Sequence, residues 1–113
     1  MNQTLNYRGN PECASSYDLL GLISLASRDN QAAQQFFDEA LEIKRRYLKN
    51  SNPNHPDIGD SYYHLSKVLM HQQKFAPARR YLLKADEIYS HNFLKSHERR
   101  QDIARYLNEL NNS

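Results

Sequence analysis

Two stretches of this chain superimpose without a gap at an interval of 45 residues, and no other feature restricts its fold as strongly. Pro11 matches Pro56, Tyr17 matches Tyr62, Leu20 matches Leu65, and Gly21 matches Ser66. Farther along, Ala33 matches Ala78, Phe37 matches Leu82, Ala40 matches Ala85, and Ile43 matches Ile88. One register held over that many positions points to a duplicated structural unit that buries its apolar face by stacking on its neighbour.

Each copy reads as a helical hairpin. Asn10 and His55 stand where a first helix needs a cap, and Pro11 and Pro56 occupy the first turn, where a missing N–H costs nothing. Glu12 and Asp57 place negative charge at the positive end of the helix dipole. Tyr17, Leu20 and Leu25, then Tyr62, Leu65 and Leu69, keep helical spacing. Polar breaks follow at Ser27-Arg28-Asp29-Asn30 and Gln72-Gln73-Lys74, so second helices begin near Gln31 and Phe75, with Pro77 tolerated in a first turn. Gly21 or Ser66, and Ala33 or Ala78, are expected where the paired axes come closest, with Phe37 or Leu82 filling the space one turn on.

A third copy begins and stops. His97 matches His55, and Ala104 and Leu107 match Tyr62 and Leu65, now at an offset of 42. Ile103, Ala104, Leu107 and Leu110 are expected to face inward, leaving Arg99, Arg100, Asp102, Arg105 and Glu109 to water, as the end of a helical stack requires. The pattern predicts helices over 11–27, 31–49, 56–72, 75–94 and 97–110.

The order Tyr17, Leu20, Gly21, Ala33, Phe37, Ala40, repeated as Tyr62, Leu65, Ser66, Ala78, Leu82, Ala85, resembles the tetratricopeptide consensus. That repeat is usually ~34 residues long. Here the second helix is expected to run on through Arg45-Arg46-Tyr47-Leu48-Lys49 until Asn50-Ser51-Asn52-Pro53 stops it. Ala40-Leu41-Glu42-Ile43, followed by Asn54-His55-Pro56-Asp57-Ile58, is similar to the long-repeat subclass typified by kinesin light chain. The resemblance spans residues 11–94 and implies an all-α fold. Two antiparallel helical hairpins (11–49 and 56–94) and a capping helix (97–110) would form a short right-handed α-solenoid, a single domain over 11–110. Residues 1–10 are expected to be a flexible leading segment and 111–113 a tail.

Composition narrows the function. With 15 basic and 13 acidic side chains, the net charge of +2 gives too weak a field to suggest nucleic acid or an anionic membrane as partner. No run approaches the ~20 apolar residues of a membrane span, and Met1 to Asn10 carry no secretory pattern. Cys13 is the sole cysteine, which rules out an internal disulfide and suits a reducing cytoplasm. It is expected to be a half-buried thiol with no general base placed near it. His64 and His71 share a helix face but lack the i, i+4 spacing and intervening Glu of a zinc helix, so no metal and no cofactor are expected. His55 and His97 read as helix-start residues instead. Lys44-Arg45-Arg46 with Lys49, and Arg79-Arg80 with Lys84, read as solvated helix faces. No phosphate-binding glycine loop or nucleophile elbow is present, and an enzyme is not expected.

In the array that the resemblance implies, the first helices of successive hairpins line a concave groove. Positions one, two and five after the matched tyrosine point into it: Asp18, Leu19 and Leu22, then Tyr63, His64 and Lys67, then Arg105, Tyr106 and Glu109. Ser15, Asp60, Met70, His71 and Asp102 lie a turn before or beyond. The candidate residues for binding a partner are therefore Asp18, Leu22, Asp60, Tyr63, His64, Lys67, His71, Arg105, Tyr106 and Glu109. Tyr63 and Lys67 stand outside the packing positions, so truncating them is expected to spare the fold. Family members that clamp a terminal carboxylate use Lys and Asn at these places. Kinesin-light-chain-like members often show an Asn pair where this chain has Asp18-Leu19 and Tyr63-His64, so neither ligand class carries over. Mixed aromatic, His and charged side chains suit a short polar peptide. The expected role is a protein-interaction adaptor or scaffold for a protein or peptide ligand, with a homo-oligomer also open. The alternative is the structural end piece of a longer helical-repeat assembly, or a self-associating module without a peptide ligand.

Overall fold

The computed structural model describes residues 11–48 and 52–111. They form five helices, α1 (Pro11–Ala26), α2 (Asn30–Leu48), α3 (Pro56–His71), α4 (Phe75–Ser90) and α5 (Glu98–Asn111), and no strand. The expected flexibility of residues 1–10 concerns a segment outside the described residues, as does most of the tail at 111–113. The cap expected from Asn10 and the stop expected at Asn50-Ser51 also lie outside them. The helices fall into two compact units, α1 and α2 within Met1–Pro53, and α3 to α5 within Asn54–Ser113.

In the first unit, α1 and α2 pack as an antiparallel hairpin. Ala33, Phe37 and Ala40 are sealed from solvent along α2. Gly21 faces Phe37 so closely that a Cβ there would lie 2.5 Å from the ring. This is the close approach that the small residues imply. Cys13, Ala14 and Ile43 form a second cluster with Tyr17, so the thiol is buried rather than half-buried. Two more expectations are corrected in this unit. Leu20 is exposed instead of packed, at 42%. Lys44 is buried at 8%, because its aliphatic stem lies in the hairpin while its ammonium meets Asp18 Oδ2 at 2.6 Å.

Both hairpin turns use one device. Arg28 (φ 64°) and Gln73 (φ 61°), themselves 45 apart, adopt the left-handed conformation that ends a helix. Arg28 N–H then donates to Leu25 O and Asp29 N–H to Ser24 O, while Gln73 and Lys74 repeat the pattern with Met70 O and Leu69 O. Asp29 starts the next helix by accepting the Ala32 N–H at 3.2 Å.

In the second unit, α3 pairs with α4 and α5 closes against α4. Ala78, Leu82 and Ala85 are fully buried, as their partners in the first unit require. His55 and His97 do cap helices: each Nδ1 accepts a backbone N–H, from Asp57 and Arg99, at 3.1 Å. Helix α4 ends at Ser90, four residues before the expected stop. Asn92 ends it by donating its amide to Ile88 O (2.9 Å) and Asn54 O (2.7 Å), which satisfies a terminal carbonyl that would otherwise propagate the helix. On α5, Ile103 is buried, but Ala104 faces solvent and Arg99 and Arg100 are drawn inward. Arg100 pairs with Asp86 on α4 at 3.0 Å and donates to Phe93 O at 3.1 Å.

Candidate functional site

The first unit holds two candidate residues, both on α1. Asp18 is engaged by Lys44, and Leu22 is exposed. A depression of 560 Å³ lies along one face of α2, lined by Asp38, Leu41, Glu42, Arg45 and Arg46. It is wide, yet Arg46 is already paired with Glu42 at 3.2 Å and only Leu41 offers an apolar anchor. This is a solvated helix face.

The second unit carries a better formed cleft of 390 Å³ between α3, the start of α4, and α5. Lys67, Met70 and His71 come from successive turns of α3, at the i, i+3, i+4 spacing that puts them on one side. Tyr106, Glu109 and Leu110 face them from α5, and Phe75 closes the end. Met70, Phe75, Tyr106 and Leu110 offer apolar surface, while Lys67, His71 and Glu109 supply charge or hydrogen bonds beside them. Four candidate residues from the sequence, Lys67, His71, Tyr106 and Glu109, thus share one cleft. Phe75 and Leu110 line it too, although the sequence pattern marks neither for binding. Phase within the repeat makes Phe75 a helix-start residue, and its place beside His71 follows from the three-residue turn.

The other candidates in this unit have different surroundings. Tyr63 is buried at 3%, so the expectation that it could be truncated without cost to the fold is corrected. Its ring lies under the Arg99 guanidinium (4.5 Å), beside Tyr106 (6.5 Å) and below the Lys67 ammonium (4.9 Å). Burial, with Tyr106 and Asp102 adding to it, pushes the Tyr63 phenol up to about 12. Asp60 accepts from Arg99 Nη1 at 3.1 Å and from the Tyr89 hydroxyl, to which Arg99 also donates at 3.0 Å. Burial and the Asp60 hydrogen bond raise the Tyr89 phenol as well. Burial works against the charge on Arg99, but Tyr89 and Asp60 outweigh it and hold the guanidinium above its usual value. Asp60 therefore ties α5 to α3 and α4 in a hydrogen-bonded network about two helical turns before Lys67 on α3. His64 is half-buried, tilted against the Tyr63 ring at 5.9 Å. Arg105 points outward and pairs with Asp102 at 3.1 Å.

Among the described residues, no three His, Cys, Asp or Glu side chains gather where a metal could sit. No described helix is long and apolar enough to cross a membrane. The arrangement can hold an apolar side chain between α3 and α5 and engage polar groups at its rim.

Comparison with known proteins agrees with the fold. A tetratricopeptide repeat model matches residues 13–57, and a second tetratricopeptide repeat model matches residues 59–92. Searches of curated proteins and of solved structures found no match. The two matches divide the chain where the internal repeat divides it, and together they cover most of its length. With the buried Ala, Phe or Leu, Ala series in both hairpins, they establish that the chain belongs to the tetratricopeptide repeat family.

Proposed function

We propose that the chain is a non-catalytic adaptor that holds a peptide or helix of a partner protein in the cleft between α3 and α5. Tetratricopeptide repeats generally mediate protein–protein interaction. The observation that carries the finer reading is the cleft's make-up: an apolar lining of Met70, Phe75, Tyr106 and Leu110 beside Lys67, His71 and Glu109. An apolar anchor with flanking polar groups is how such clefts bind short segments. Tyr63 and the Asp60–Arg99–Tyr89 network support the site, since they fix α5 against α3. The first match runs over residues 13–57, as long as the internal interval, which supports the long-repeat, kinesin-light-chain-like subclass. The lone Cys13 thiol suits the cytoplasm as the place of action.

Affinity capture read by mass spectrometry tests the proposal. The paired change Lys67→Ala and Tyr106→Ala should remove the main captured partner, and Arg79→Ala with Arg80→Ala on α4 should retain it. The reverse outcome would place binding on the outer helix. A second reading, the end piece of a longer helical-repeat assembly or a self-associating module, is favoured by one observation: the apolar, solvent-facing side of α1.

A further inference from the structure

Helix α5 is the least anchored of the three helices in the second unit. It buries one side chain outright, Ile103, where α4 buries Ala78, Leu82, Ala85, Ile88 and Tyr89, and α3 buries nine residues. An element with so little buried apolar contact is the first to open in local unfolding. Much of what else holds α5 is polar and gathered in its first turn. Arg99 donates to Asp60 and the Tyr89 hydroxyl, Arg100 donates to Asp86 and Phe93 O, and His97 supplies the cap.

That cap depends on a proton. His97 Nδ1 accepts the Arg99 N–H at 3.1 Å, so the ring is neutral and carries its hydrogen on Nε2. A second proton goes to Nδ1, removes its lone pair, and sets a donor against a donor. The surroundings do little to offset the loss. Arg99 and Arg100 bring two cations into the same turn, and the positive end of the helix dipole adds to them. Asp60 on α3 and Asp86 on α4 answer those guanidiniums rather than the ring. Lys95 and Glu98 flank His97, both exposed, and among the described residues no carboxylate pairs with it. The Phe93 ring, stacked on the imidazole at 4.1 Å and 15°, favours the cation but offers no acceptor in exchange. His55 caps α3 in the same way, yet Asp57 Oδ2 lies 3.8 Å from its Nδ1 to receive a proton there, and α3 is held by a far larger core. The two caps are therefore unequal.

We infer that His97 is a proton-sensitive latch on α5. When neutral it caps the helix and holds its first turn in place; when protonated it lets that turn open and α5 loosen from the unit. Only the neutral ring makes the bond, which fixes the sign: α5 is held at higher pH and loosened at lower pH. An ordinary imidazole takes its proton near ~6.5, so the change falls between about pH 7.5 and about pH 5. Because α5 carries Tyr106, Glu109 and Leu110, its release also dismantles the α3–α5 cleft. That consequence rests on the proposed function, whereas the latch does not, and the test below needs no partner.

Nuclear magnetic resonance of the full chain compares wild type with His97→Asn, in which an asparagine cap keeps the helix start without a titrating ring. Amide protection factors divide out the chemical pH dependence of exchange, and they are measured at about pH 7.5 and about pH 5, on either side of the ordinary imidazole value. From Asp102 onward, wild-type protection should fall about fivefold, the typical worth of an N-cap, and protection in His97→Asn should fall less than about twofold. His55→Asn should show the wild-type fall in α5. The imidazole nitrogen shifts of His97 supply a second readout, in which Nδ1 should be the unprotonated nitrogen at the higher pH. A hydrogen on Nδ1 there overturns the cap. Wild-type protection that does not change with pH, or an equal fall in His97→Asn, overturns the latch. A fall abolished by His55→Asn assigns the effect to α3 and overturns it as well.

Discussion

Replacing Gly21 with alanine opposes two effects whose sizes the structure sets. An alanine in mid-helix gains ~1 kcal/mol over glycine from backbone propensity. Against this, its Cβ would lie 2.5, 2.7 and 2.8 Å from three carbons of the Phe37 ring. Carbon atoms prefer ~3.5–4.0 Å, so the methyl and ring must separate by about 1 Å. Phe37 is sealed within the hairpin and has no solvent side to move toward. Overpacking of this kind costs ~1–3 kcal/mol, and contact with three ring carbons puts it in the upper part of that range. The net expectation is a loss of about 1–2 kcal/mol, or several degrees in Tm. The second unit suggests the compensation, since Ser66 and the shorter Leu82 stand at the same two repeat positions. Phe37→Leu should therefore relieve Gly21→Ala, so that the double variant loses ~1 kcal/mol less than the two single losses combined. Urea denaturation followed by far-ultraviolet circular dichroism measures all three variants. A Gly21→Ala protein more stable than wild type, or strict additivity in the cycle, would refute the close helix contact.

Three further outcomes are expected. Arg28→Gly and Gln73→Gly should each stabilise by ~0.5–1 kcal/mol in thermal melts, because glycine adopts the left-handed turn without the side-chain penalty paid at φ 64° and 61°. Arg99→Gln should cost ~1–3 kcal/mol and speed hydrogen exchange in α5, since Asp60 and Tyr89 lose their charged donor; exposed Arg105→Gln should cost under ~0.5 kcal/mol. Because the Tyr63 phenol is raised in the folded state to about 12, its contribution to stability is full below the ordinary ~10 and is lost as pH rises from there through about 12. Ultraviolet absorbance should show a late phenolate step that shrinks in Tyr63→Phe, and a single step near ~10 for every tyrosine would contradict the buried position.

The parts of the fold written in local spacing were legible in the sequence. Gly21, Ala33, Phe37 and Ala40 mark a hairpin because helix contact recurs at fixed intervals, and burial of their counterparts in the second unit follows from the same register. His55 and His97 as helix starts were legible for the same reason. What depends on a distant segment was not. Tyr63 looks like a surface position on α3 until α5 brings Arg99 and Tyr106 against it from some 40 residues away. Lys44 reads as one of a basic run, and only the approach of α1 shows that Asp18 receives it. The early end of α4 turns on the Asn92 side chain, which the apolar periodicity does not register. Of the candidate site, the residues on one face of α3 could be chosen by periodicity. Phe75 and Leu110 join them through packing between helices.

Binding of a partner in the α3–α5 cleft can be read residue by residue, by titrating isotope-labelled protein with a peptide from the captured partner and mapping amide chemical shifts. Perturbations are expected at Lys67, Met70, His71, Phe75, Tyr106 and Leu110, and should be lost with Tyr106→Ala. Perturbations centred instead on Arg79, Arg80 and Leu83 of α4, unchanged by Tyr106→Ala, would contradict it.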